Sequence, residues 1–170
     1  RYDTRYYSAE LLPGFRAESY LGISEGLEFD KNLFGRAGFD VAVYISTFRK
    51  NHLLVPRLVC NATLDLSGDD KIPFAEYPRH IMFRGVSTRT MLRTDKYMFI
   101  PSLEYQWPLT PHIRGHVFGD LLMVSSDLEK VTLNNNPYAI GIGFDLHKHY
   151  SEIARLQIAV GSEGVRATLA

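Results

Sequence analysis

Hydrophobic and polar residues alternate along most of this chain. Ala37, Phe39, Val41, Val43 and Ile45 fall on one face of a segment whose other face holds Arg36, Gly38, Asp40, Ala42 and Tyr44. Leu58, Cys60, Ala62 and Leu64 oppose Arg57, Val59, Asn61, Thr63 and Asp65. Further on, Ile140, Ile142, Phe144 and Leu146 oppose Ala139, Gly141, Gly143 and Asp145, and Leu156, Ile158 and Val160 oppose Arg155, Gln157 and Ala159. A period of two argues for strands rather than helices. The pattern predicts a stub at Tyr2–Arg5, then strands over Phe15–Ser24, Leu33–Thr47, Leu54–Ser67, Tyr97–Leu109, Ile113–Val124, Tyr138–His147, Ile153–Gly161 and Val165–Ala170. No segment has a convincing helical period, and no repeat or linker marks a second domain.

The polar faces carry the charges and glycines; the apolar faces carry almost none. A soluble sandwich also alternates. Two features favour a membrane barrel instead. The strands are long, and their connections alternate between short (Arg49–His52, Thr110–His112, Lys148–Ser151) and long (about Gly68–Lys96 and Ser125–Pro137). Outer-membrane barrels place short turns on the periplasmic side and long loops outside. The expected fold is therefore all-β: an antiparallel transmembrane β-barrel over residues 1–170, about eight or nine strands, closed alone or completing a larger barrel. Phe39, Val41, Val43, Ile45, Ile140, Ile142, Phe144, Leu156 and Ile158 are expected to meet lipid.

Composition narrows the picture further. The 170 residues suit one domain. Lys+Arg and Asp+Glu balance at 19 each, so no net field favours nucleic acid. One cysteine, Cys60, excludes an internal disulfide framework. No apolar run approaches the roughly 20 residues of a spanning helix, a length that barrel strands do not need. Ten Tyr and ten Phe supply girdle-type residues. The start "RYDTR" and the end "VRATLA" read as cuts in a longer sequence.

Several local motifs offer chemistry. Gly22–Gly26, "GISEG", matches a nucleophile elbow around Ser24, but Leu27–Phe39 lacks the period of the helix that motif needs. His112, His116, His147 and His149 have no carboxylate cluster to complete a metal site. Asn61–Thr63 matches a glycosylation sequon in mid-strand, and Gly141–Phe144 lacks a dinucleotide-binding context. Cys60 lies on the apolar face, where a thiol is inert. Tyr105 and Trp107 are girdle candidates beside a short turn. No enzyme activity, metal or cofactor is expected.

The order of four motifs carries a family resemblance. Asp3-Thr4-Arg5 precedes Pro13-Gly14; Phe83-Arg84-Gly85-Val86 lies in the long basic connection; Glu104-Tyr105-Gln106 and Phe118-Gly119-Asp120-Leu121-Leu122 lie in the next two strands. In this order and spacing the chain resembles the C-terminal half of the barrels of the BamA/TamA/TpsB superfamily of outer-membrane proteins, the bacterial surface antigen family. The family's arginine after Glu-Tyr is Gln106 here, its closing glycine after Phe-x-Asp is Leu122, and its terminal aromatic is missing. The resemblance implies an outer-membrane barrel that inserts or secretes other proteins without nucleotide. Its sixth loop would fold into the lumen and anchor Arg84, beside Gly85, on Asp120.

Alternation independently turns Asp120 and Glu104 to one face, where two carboxylates suit an arginine fork. Arg79, Arg89 and Arg93 are expected to be solvated or to meet headgroups. Expected partners are outer-membrane lipids, unfolded outer-membrane or secreted proteins, and subunits of a larger complex. No segment matches the POTRA modules that usually receive substrate. The alternatives are a structural or assembly barrel in a larger surface complex and the barrel anchor of an outer-membrane lipase.

Overall fold

The computed structural model describes residues 2–3, 11–25, 33–68, 72, 76–78, 83–84, 95–132, 136–148, 151–162 and 164–169. Ten strands run in chain order: β1 (Tyr2–Asp3), β2 (Gly14–Glu25), β3 (Leu33–Ser46), β4 (Leu53–Asp65), β5 (Tyr97–Thr110), β6 (Ile113–Leu121), β7 (Met123–Ser125), β8 (Tyr138–Lys148), β9 (Ser151–Gly161) and β10 (Gly164–Leu169). They form one antiparallel sheet in the order β1-β2-β3-β4-β5-β6-β8-β9-β10, with β7 paired to β5. Each strand along this path is hydrogen-bonded to the next one in it, as short-range pairing favours.

The sheet is open. Among the described residues, β1 pairs only with β2 and β10 only with β9. The strands are all-β and antiparallel as the alternation predicts, but they do not close into a barrel.

Two local features depart from the predicted strands. The segment Ile113–Val124 is not one strand: it breaks at Leu122 between β6 and β7, although β7 continues in the same register against β5. The Leu122 side chain is fully buried, and its N–H donates to the carbonyl of Pro137 at 2.8 Å instead of joining a ladder. The second is one turn of 3-10 helix at Leu128–Lys130, in a connection that carries no helical period.

The two faces of the sheet differ in kind. One face carries Phe15, Leu21 and Ile23 of β2, Phe39, Val43 and Ile45 of β3, Leu58 and Leu64 of β4, and Leu103 of β5; pairing continues it through Val117, Ile142, Ile158 and Val165. Most of these apolar side chains are exposed. Of the nine residues expected to meet lipid, eight are exposed; the ninth, Val41, is half-buried. The other face carries the charges, and it is the one partly covered. Val59, Phe83, Met98, Ile100, Leu122 and Ala139 form its main apolar cluster; Leu11, Ala42, Leu53 and Val55 form a second. Phe83 belongs to the connection between β4 and β5, so burial on this face depends on chain that lies outside the strands.

Candidate functional site

Arg84 follows Phe83, and the two side chains enter the polar face together. Phe83 is almost wholly buried among Val59, Met98, Ile100 and Leu122. That anchorage sets the position of Arg84 over β5 and β6. Strand alternation brings Glu104 and Phe118 opposite each other, with Asp120 two residues on.

The guanidinium is held on three sides. Its Nε donates to Asp120 Oδ2 at 2.8 Å and its Nη2 to Asp120 Oδ1 at 2.6 Å, a bidentate fork. Its Nη1 donates to Glu104 Oε2. Below it lies the Phe118 ring, with the guanidinium carbon 3.6 Å from the ring centroid. The backbone N–H of Arg84 adds a longer contact, 3.4 Å, to Asp120 Oδ2. Gln106 Nε2 donates to the other oxygen of Glu104 at 2.6 Å. Burial opposes the charge on Arg84, but hydrogen bonds and charge from Asp120 and Glu104 outweigh it and hold its pKa above the ordinary value. Arg84 is therefore a permanent cation between two carboxylates.

Gly141 makes this arrangement possible from β8. A Cβ there would run into the Phe118 ring and would sit 2.5 Å from the Ile158 carbonyl oxygen. Only a residue without a side chain lets Phe118 lie flat beneath Arg84.

A second charged cluster occupies the same face. Arg155 Nε donates to Asp145 Oδ1 at 2.8 Å, from the residue directly paired with it on β9. Buried His116 places Nδ1 3.4 Å from Asp145 Oδ2, and its Nε2 is 3.1 Å from Gln157 Nε2. A third cluster lies towards β2: Asp40 receives Arg57 Nε and Nη2, each at 2.8 Å, and Arg16 Nη2 at 2.7 Å. Sequence reasoning placed Asp40, Arg57, Asp145, Arg155 and Gln157 on the polar face without grouping them. The signal that could have done so is the hairpin register, because the short connection between β8 and β9 sets Asp145 against Arg155.

The other sequence candidates fall elsewhere. Gly85, Arg5, Arg79, Arg89, Arg93 and His149 lie outside the described residues. Asp3 sits on β1, opposite Arg16. Ser24 lies within β2, paired opposite Phe34, and the strand runs on through Glu25. A nucleophile elbow needs a sharp turn at its serine, and Ser24 has none. Asn61 stands in β4, where its side-chain oxygen accepts from the Tyr20 hydroxyl at 2.9 Å. Cys60 is buried on the apolar side. Tyr105 and Trp107 lie on the apolar side near the β5–β6 turn, and the Tyr105 hydroxyl and His52 Nδ1 share a hydrogen bond at 2.7 Å. His112 is exposed in that turn, and its carbonyl accepts the His147 N–H at 2.8 Å.

No family model matches this chain, and no curated protein matches it.

Proposed function

We propose that this chain forms part of the wall of an outer-membrane β-barrel similar to those of the BamA/TamA/TpsB superfamily, working in the insertion or translocation of other proteins. The observation that carries the membrane part of this reading is the apolar face. It runs from Phe15–Ile23 on β2 to Val165–Leu169 on β10, and as far as Leu146 and Ala154 beside the β8–β9 turn. Within those bounds the residues that share it include no Asp, Glu, Lys or Arg. A water-facing sheet puts charges on its exposed side and apolar residues beneath. Here the exposed side is apolar and the charged residues pair on the covered side, which is the arrangement of a lipid-facing wall. Strand length agrees: β3 and β5 have 14 residues and β4 has 13, against the roughly 9–11 that cross a bilayer.

The transport part of the reading rests on the resemblance and on the Arg84 clamp, which ties the β4–β5 connection to the wall. Among the described residues β1 and β10 each pair on one side only, which favours a second reading, a wall subunit within a larger outer-membrane complex. Spin labels test the shared premise. In vesicles, a label at Ile142 should meet oxygen dissolved in lipid, and one at Tyr20 should meet a water-soluble relaxation agent. The reverse pattern would overturn the membrane reading. In the same vesicles, an unfolded outer-membrane protein added from outside should fold faster than in empty ones if the chain assists insertion. Equal rates would leave the structural reading.

A further inference from the structure

We propose that the β3–β4 turn, with Tyr105 and Trp107 beside it, binds the headgroup of an anionic phospholipid; this rests on the membrane reading of the apolar face. The turn is built for exposure. The Thr47 N–H donates to the His52 carbonyl at 3.0 Å, the His52 N–H donates to the Arg49 carbonyl at 3.2 Å, and Asn51 takes φ 62° to reverse the chain. This geometry drives Phe48, Arg49 and Lys50 outward together.

Phe48 is 94% exposed, and the Arg49 guanidinium carbon lies 6.0 Å from its ring centroid. An aromatic ring in that position in water gains nothing. At a membrane surface it enters the acyl boundary while the neighbouring cations stay with the phosphates. His52 joins the turn to the apolar face. Its ring is 5.6 Å from that of Tyr105, which is 6.0 Å from that of Trp107. Trp107 in turn lies flat on Gly115 of β6, where a Cβ would meet the indole at 2.6 Å. The result is a fixed aromatic shelf at the edge of the apolar face, with two exposed cations at its rim.

The chemistry of the occupant is set by charge. Residues 47–52 and 105–113 contain no carboxylate. Arg49 and Lys50 therefore present two exposed positive charges at the edge of the apolar face, with no carboxylate in either of these segments. A zwitterionic headgroup brings its own cation, which these two residues repel. A net-anionic headgroup such as phosphatidylglycerol brings only the phosphate charge. Attraction to it is about fivefold per cation near an anionic surface at low salt. Free phosphate would satisfy the cations but leave Phe48 and the shelf without a partner, so the lipid is the fitting source.

The chain holds one tryptophan, Trp107, which stands at the site. Reconstituted in phosphatidylcholine vesicles, it reports lipids that carry bromine high in the acyl chain by losing fluorescence. With brominated phosphatidylglycerol as a minor component, quenching should exceed that from an equal fraction of brominated phosphatidylcholine by severalfold. The excess should fall in high salt and vanish in Arg49→Gln/Lys50→Gln, while Arg49→Lys should keep it. Equal quenching by the two lipids, or an excess unchanged in the double variant, would overturn the proposal and leave the membrane reading standing. Quenching by neither lipid would overturn both.

Discussion

Two of the arginine–carboxylate clamps on the polar face have similar chemistry in different surroundings. Over β5, β6 and β8, Phe83 and Leu122 seal the face, and the Asp120 side chain is 0% exposed against Arg84. Over β2 and β3, Asp40 holds two arginines yet keeps 15% exposure, and nearby Tyr20 is 52% exposed. The sheet beneath is continuous, so pairing does not cause the difference. Phe83, from the connection before β5, and Leu122 do: they pack over the face beside Asp120. Sealing is what turns an arginine–carboxylate contact from a modest gain into a structural commitment. An uncovered pair contributes little, whereas a sealed charge that loses its partner is stranded.

Breaking the sealed clamp should have the largest effect. Asp120→Ala or Arg84→Ala should each cost about 3–5 kcal/mol in equilibrium unfolding by urea, and each should expose the β4–β5 connection to protease. Because the pair acts as a unit, the double variant should be little worse than either single one. Arg84→Lys should recover only part of the loss, since an ammonium cannot form the fork. Strictly additive losses would show that the two side chains do not depend on each other.

The aromatic ring under the sealed clamp sharpens the contrast at a smaller scale. Gly141→Ala should cost about 1–3 kcal/mol by pressing on Phe118 and on the β9 backbone, read by the same unfolding measurement. Its counterpart on the open half is Gly22, where a Cβ would meet nothing within 4 Å. Gly22→Ala should stay within about 0.5 kcal/mol of the parent. Equal costs at the two glycines would erase the distinction between the halves.

The smallest clamp effect belongs to Asp40. Asp40→Ala should cost about 1–2 kcal/mol, and added salt should reduce the difference from the parent. The Asp120→Ala loss should change little with salt, because buried pairs are screened less.

Much of this was legible in the sequence because alternation is a local property. It put Glu104 and Asp120 on one face, and the register agrees. It located nearly every strand to within a residue or two. What it could not supply was non-local. Whether a sheet closes depends on the pairing of its outermost strands, which no single strand's pattern records. The break at Leu122 depends on the carbonyl of Pro137, fifteen residues further on (137 − 122). The His116–Asp145 contact joins β6 to β8 through a register that depends on how the chain returns between them. Arg16 and Arg57 meet Asp40 from both sides because three strands align at once.

The strand order has an arithmetic consequence. Nine strands lie in line from β1 to β10, each antiparallel to the next, so the first and the last point the same way. A ring in which every neighbour is antiparallel must hold an even number of strands. Joining β1 directly to β10 would put two strands side by side in the same direction and spoil the rule at the seam. An identical sheet, similarly oriented, would meet the same conflict at both seams. Any all-antiparallel cylinder built on this path therefore needs an odd number of further strands, and the first of them, lying beside β10, must run back towards the end of the sheet that bears the β9–β10 turn.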